Sequence, residues 1–315
     1  MKRAVFASVL ALFAAALPAA PTDRVRLAIG YIPDAQFAPL YVGLEKGLFR
    51  EEGIDLSIEY GFSIDVFSLL AAGRIDLGLS DSDQLILAGS KGLGLKAVFQ
   101  YYQKYPVAIV ARADRVREPA DLKGKLLGTP ELYGTSFIGM QLFLRRYGLS
   151  SAVRVEKIGY TQIPSLETGK VDAVVCFFNN EPIALRGSGL DLREWDVKDF
   201  SDMVGASFIA SERGIAERKD VLRRFARALG RAMAWTVDNR AEAMAAVEKN
   251  VPGASENREF VRKKLDATCG LFAHPRGYGT LDAERYARSI ADLAALGLIP
   301  REFPAEAVLA PLAAP

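Results

Sequence analysis

Short apolar runs alternate along this chain with longer stretches whose apolar residues recur at helical spacing. Residues 25–30 read as a strand, and Phe37, Leu40, Tyr41, Leu44 and Leu48 then mark one face of a helix. Strand 56–60 follows, then a helix that ends at Gly73, with Ser63 as its expected N-cap. Strand 76–79, helix 83–90, strand 95–101 and a fully apolar strand 107–111 complete a first series. Such alternation predicts a parallel sheet with right-handed crossovers. A charged stretch, 114–125, breaks the pattern, and a second series opens at Leu126. It comprises a loop to Gly134, a helix opening at Thr135-Ser136, strand 154–158, helix 164–168 and strand 171–177. The apolar run 204–210 is expected to return the chain to the first series. From Glu212 the text is helical, and its last clear helix stops at Gly297.

One phrase occurs in both series. Leu70-Ala71-Ala72-Gly73-Arg74-Ile75-Asp76-Leu77 returns as Leu166-Glu167-Thr168-Gly169-Lys170-Val171-Asp172-Ala173. Each time a helix ends at a glycine able to take the left-handed conformation, and a strand starts at once. Each strand is expected to run into a polar loop, Ser80-Asp81-Ser82-Asp83-Gln84 in one case and Phe178-Asn179-Asn180-Glu181-Pro182 in the other. Ligands of open α/β sheets gather outside the carboxyl ends of strands. The repeat therefore predicts an α/β protein of two similar lobes facing one cleft. The expected division is 23–111 plus 209–315 for lobe one and 112–208 for lobe two.

The chain has 315 residues, half of them apolar and a quarter charged, which suits two globular lobes. Lys2-Arg3, the apolar run 4–17 and the small residues at Ala14, Ala16, Ala19 and Ala20 read as a secretory signal over 1–20. This points to an extracytoplasmic, periplasmic protein. Formal charge is +2, from 40 cations and 38 anions, and removing the signal would cancel it. No basic run argues for nucleic acid or an anionic membrane as a partner. The two cysteines, Cys176 and Cys269, and the single histidine, His274, show no metal-ligand spacing.

No nucleophile–base pair or phosphate loop is legible, so no catalysis and no cofactor are expected. Asp81 and Asp83 are expected to cap the next helix. The strand-end loops are instead rich in rings: Tyr31, Phe37, Phe62, Tyr133, Tyr160 and Phe178, with Tyr60 and Phe177 beside them. Among these lie Asp34, Gln36, Ser80, Asp81, Thr135, Ser136, Gln162, Asn179, Asn180 and Glu181. Rings with neutral amides and hydroxyls suit a planar, largely uncharged heteroaromatic ligand, stacked on its faces and hydrogen-bonded at its edge. Arginine is absent from these loops, so a dianion would have to rest on helix N-termini.

Gly30-Tyr31-Ile32-Pro33-Asp34-Ala35-Gln36-Phe37-Ala38-Pro39-Leu40-Tyr41-Val42 and Glu45-Lys46-Gly47-Leu48-Phe49 resemble the opening of periplasmic substrate-binding proteins of ABC importers. Asp121-Leu122-Lys123-Gly124-Lys125 is similar to the start of their second lobe. Tyr133-Gly134-Thr135-Ser136-Phe137-Ile138-Gly139, Gly159-Tyr160-Thr161-Gln162 and Asn179-Asn180-Glu181-Pro182 look most like the riboflavin-binding branch of the thiamine-precursor and sulfonate-binding superfamily. The resemblance implies a two-lobe type II periplasmic-binding-protein fold with a ligand cleft between lobes. It also implies capture of a heteroaromatic vitamin or precursor, with riboflavin first, by a monomer that delivers it to an ABC permease in the inner membrane. A thiamine pyrimidine precursor is the alternative, followed by a sulfonate or other small anion. Related eukaryotic pyrimidine synthases carry histidines and a cysteine-rich motif. Here the matching loop reads Asp34-Ala35-Gln36 and Cys176 stands alone, so synthase activity is not expected.

Overall fold

Two five-stranded sheets built on one plan carry the fold. The computed structural model describes residues 22–62 and 64–312. The expected signal segment and the expected cap at Ser63 lie outside the described residues. In chain order the elements of the first sheet and its helices are β1 (Asp23–Ile29), α1 (Ala38–Glu45), α2 (Leu48–Glu51), β2 (Ile54–Tyr60), α3 (Val66–Ala71), β3 (Leu77–Asp81), α4 (Ser82–Ser90) and β4 (Leu95–Gln100). There follow β5 (Val107–Arg112), β6 (Leu126–Thr129), α5 (Gly134–Arg146), β7 (Arg154–Lys157), α6 (Gln162–Glu167), β8 (Ala173–Phe177), α7 (Glu181–Leu185) and β9 (Leu192–Asp196). The chain closes with β10 (Ala206–Ser211), α8 (Glu212–Asp238), α9 (Arg240–Asn250), α10 (Arg258–Cys269) and α11 (Ala283–Ala295).

The strand orders are β2-β1-β3-β10-β4 and β7-β6-β8-β5-β9. The first three strands of each sheet are parallel, and the fourth is antiparallel to its neighbours. That fourth strand is the one that arrives from the other sheet, β10 in lobe one and β5 in lobe two. The expected boundaries after 111 and after 208 are therefore corrected. The chain crosses between β4 and β5, and returns between β9 and β10. A strand apolar on both faces, such as 107–111, fits the middle of either sheet, so its pattern cannot say which one receives it. The two crossings touch at Gly205, where a Cβ would lie 2.6 Å from the carbonyls of Tyr102 and Lys104.

The repeated phrase folds the same way in both lobes. Gly73 and Gly169 take φ of 67° and 71°, which only glycine adopts at no steric cost. β1 and β3 meet at Leu27↔Leu77, and β6 and β8 at Leu127↔Ala173. One residue earlier, the N–H of Arg26 donates to Asp76 Oδ2 at 2.8 Å, and the N–H of Leu126 donates to Asp172 Oδ2 at 3.0 Å. The aspartate side chain extends the ladder past the end of its strand. In front of α3 the cap is Asp65, which accepts from the N–H of Ser68 at 3.0 Å.

α8, α9 and α10 cover one face of the first sheet together with α1, burying Phe49, Phe225, Leu229 and Met244. A second core runs from the opposite face of that sheet through the crossings to β5, α5 and α11, and contains Leu85, Tyr105, Val107, Phe143 and Tyr286. Continuous packing through the crossings fixes where the two strand-end edges face each other. Cys176 on β8 and Cys269 on α10 are both buried and unbonded. No helix among the described residues is long and apolar enough to cross a membrane.

Candidate functional site

A cavity of about 410 Å³ lies between the two sheets, within the range of about 300–1,000 Å³ common for small-molecule sites. Ser80 near the end of β3 and Phe177 at the end of β8 both line it, as do Tyr101 and Tyr102 of the first crossing and Ala206 at the start of β10. Both lobes present the carboxyl ends of their parallel strands, where backbone groups are free of the ladder and helices begin.

Lobe one contributes Tyr31, Gln36, Phe37, Ser80 and Asp81 to the lining. Gln36 is held at both ends, since its main-chain carbonyl accepts from Tyr101 Oη at 2.7 Å and its Oε1 from Tyr102 Oη at 2.9 Å. Burial, reinforced by the nearby carboxylates of Asp34 and Glu181, pushes the Tyr31 hydroxyl up to about 12, so it is a neutral donor at any working pH. Phe62 stands outside the lining, edge-on to Tyr31 at 5.0 Å and 6.0 Å from Tyr160 across the mouth.

Lobe two contributes Tyr133, Thr135, Ser136, Tyr160, Gln162, Asn179, Asn180 and Glu181. Tyr133 and Tyr160 are 70% and 72% exposed. Glu181 Oε2 accepts from the N–H of Phe177 at 3.1 Å and Oε1 from Asn180 Nδ2 at 3.1 Å. Burial, the dominant cause, nonetheless raises its carboxyl above the ordinary range. Asn179 Nδ2 reaches back to Thr268 Oγ1 of α10 at 2.9 Å, which joins the lobes on that side.

A second join is made by carboxyl groups. Thr135 Oγ1, at the start of α5, lies 2.9 Å from Asp81 Oδ2 and 2.9 Å from Asp83 Oδ1. Tyr105 Oη donates to Asp83 Oδ2 at 2.6 Å. A threonine hydroxyl has one hydrogen, so both contacts are hydrogen bonds only when one carboxyl carries a proton. Burial raises both carboxyls, and for Asp81 the charge of Asp83 adds to the shift.

The family described as NMT1/THI5 like matches residues 34–243. The chain belongs to the NMT1/THI5-like family. It is 31% identical over 292 residues to the riboflavin-binding protein RibY of Chloroflexus aurantiacus, covering 89% of this chain and 83% of that one. It is 29% identical over 279 residues to a formylaminopyrimidine-binding protein of Halalkalibacterium halodurans, covering 84% and 82%. Among solved structures, the alkanesulfonate-binding protein SsuA of Xanthomonas axonopodis pv. citri, bound to MOPS, superposes with a TM-score of 0.69 at 18% identity, covering 92% of this chain and 99% of that one. This NMT1/THI5-like chain thus has the expected two-lobe periplasmic-binding-protein fold.

Against the expected site, three residues are placed differently. Phe178 packs against the lobe-one core, with Lys198 Nζ 4.7 Å from its ring centre, and its neighbour Phe177 faces the cavity instead. Successive residues at a strand end point opposite ways, and the loop pattern could not fix which ring turned inward. Phe62 sits at the mouth. Asp34 sits behind the lining, where it accepts from Gln36 N–H at 3.1 Å and pairs with Lys264. The expected capping role of Asp81 is also corrected: it occupies the cap position of α4 but makes no cap bond, and its carboxyl is spent on Thr135.

Sequence reasoning missed Lys264, Tyr101, Tyr102, Gln84 and Asp65, all on the lining. A signal for Lys264 existed. It falls at helical spacing among Val261, Leu265 and Thr268, the buried face of α10, and a lysine on such a stripe needs a partner.

Proposed function

We propose that this protein is the extracytoplasmic ligand-capturing component of an ABC importer, and that its ligand is a heteroaromatic vitamin or vitamin precursor, riboflavin first. The observation that carries the reading is the ring-walled cavity between the two lobes. Tyr31, Phe37, Tyr133, Tyr160 and Phe177 come to it from both sides, with amides and carboxyls between them. Such a set can stack on both faces of a flat ring system and pair with its edge. The likeness to RibY supports riboflavin within that class. A ligand that contacts both lobes favours the closed arrangement in proportion to those bridging contacts, and the closed form is what a permease would read. No bond is made or broken.

A thiamine pyrimidine precursor is the second reading. It is favoured by the likeness to the formylaminopyrimidine-binding protein and by the carboxyl and amide pair Glu181 and Asn180 beside Tyr31. The two are separated by titrating riboflavin and formylaminopyrimidine into the purified protein, followed by calorimetry and, for the flavin, by fluorescence quenching. Riboflavin is expected to bind at micromolar concentration or below and to be quenched on stacking. Binding of the pyrimidine alone would select the second reading. If neither binds, the heteroaromatic reading fails.

A further inference from the structure

Resting on that reading of the cleft as the ligand site, the charges around it constrain which ligands it admits. Among the described residues on the lining, Asp65, Asp81, Glu131 and Glu181 carry carboxyl groups, and Lys264 alone carries a cation. Asp34 Oδ2 accepts from Lys264 Nζ, and the two residues are only 9% and 7% exposed. Asp34 is itself fixed: its Oδ1 accepts from the N–H of Gln36 and its own N–H donates to Tyr41 Oη, both at 3.1 Å. Lys264 also favours the ionised form of Glu181, against the burial that raises that carboxyl. A sulfonate or phosphate entering this cavity would shed its water, face carboxyls on both lobes and meet one ammonium that is already neutralised by a buried, hydrogen-bonded partner. Desolvating an anion without a matching cation is strongly unfavourable. A neutral ring system bears no such cost.

We propose that Asp34 sets the charge selectivity of the cleft: by holding Lys264 neutralised, it keeps a lysine on the cavity wall from becoming an anion site, so that an unphosphorylated flavin is admitted and its phosphate monoester is not. The residue is a specificity determinant, acting on the ligand through Lys264.

The test uses the full mature chain and three probes, riboflavin, flavin mononucleotide and methanesulfonate, in calorimetric titrations. Wild-type protein is expected to bind flavin mononucleotide at least about tenfold more weakly than riboflavin, the scale of one charge-assisted contact, and to show no heat with methanesulfonate. Asp34→Asn alone leaves Glu181 able to take over the lysine, so the decisive variant is Asp34→Asn with Glu181→Gln. It is expected to gain at least about tenfold for both anions, and the gain is expected to vanish when Lys264→Gln is added. Wild-type protein that binds flavin mononucleotide as tightly as riboflavin, or that binds methanesulfonate, overturns the proposal while leaving the flavin reading intact. If wild-type protein binds no flavin, the flavin reading falls, and the anion gain of the double variant still decides the charge rule: a gain upholds it and no gain overturns it. Should the double variant fail to give a cooperative thermal transition, Lys264→Gln in the wild-type background serves instead. Its preference for riboflavin over flavin mononucleotide is expected to hold or widen, and a narrowing overturns the proposal.

Discussion

The aspartate that opens β3 and the one that opens β8 do the same local work with different supports. Asp76 is held by Arg26, through both the main-chain N–H and Nε, and by Arg218 Nη1 at 2.6 Å from α8. Asp172 is held by the N–H of Leu126 and by Arg115 Nη1 at 3.1 Å, and the same guanidinium nitrogen donates to Gly169 O at 3.0 Å. Lobe one is therefore stitched to helices that arrive after the return crossing, while the lobe-two unit closes within one continuous stretch of chain. The cleft faces differ as well. Phe37, Tyr101 and Tyr102 of lobe one and its crossings are buried, whereas Tyr133 and Tyr160 of lobe two are largely exposed. One face is packed, and the other presents its rings to solvent. A repeated phrase thus specifies a repeated turn, but not what braces it or how far the rings on its cleft face are buried.

The largest effect expected to sharpen this comparison comes from the carboxyl pair of lobe one that meets Thr135, Asp81 and Asp83. Burial raises both Asp81, to about 7, and Asp83, so between the ordinary aspartate pKa of about 3.9 and that value the fold keeps a proton that the unfolded chain has released. Below the ordinary aspartate pKa this contribution is fully present. As pH rises the unfolded chain binds fewer protons than the folded one, so stability falls, by about 1.4 kcal/mol per pH unit for one proton, until the pair ionises in the fold. Asp81→Asn is expected to flatten that slope. Thermal midpoints from pH 4 to 8 that run parallel in the variant and wild type would remove the shared proton from the account.

Next is Gly205→Ala at the contact of the two crossings. A methyl group there meets backbone that cannot yield cheaply, and a loss of about 3 kcal/mol is expected in urea unfolding, the upper end for overpacking. An effect under about 0.5 kcal/mol, typical of a free surface site, would mean that the crossings do not bear on each other.

Asp76→Ala and Asp172→Ala test the aspartates directly. Each leaves a ladder N–H without its acceptor, at roughly 1–3 kcal/mol. Asp76→Ala is expected to cost more, because two arginines lose their partner rather than one. The reverse order would break the comparison drawn from the braces.

The smallest effects concern the rings. Tyr160→Ala or Phe177→Ala is expected to weaken riboflavin binding by about 1 kcal/mol or more, and the exposed Tyr160 is expected to leave the unfolding midpoint of the free protein unchanged. A ring removal that lowers stability and spares binding would place that ring in the core.

Most of the elements and the two strand-end edges were legible in the chain, while β9 and α7 were not. Gly73 and Gly169 stop helices because only glycine rests at that φ, and the apolar alternation on either side sets strand and helix periods. These are decisions among near neighbours in the chain, as is the placing of Tyr31, Gln36, Tyr133, Tyr160 and Asn180 in loops at strand ends. The tertiary structure alone decided which sheet received 107–112, which of Phe177 and Phe178 turned inward, that Thr135 would lie between Asp81 and Asp83, and that Lys264 would reach Asp34. The first three depend on how the two lobes pack across their crossings, and the last on α10 docking beside residues 35–37 within lobe one. A carboxyl or an ammonium carries no mark in the chain of the distant partner that will satisfy it once water is excluded, so burial and pairing are known only when both sides of the contact are in place.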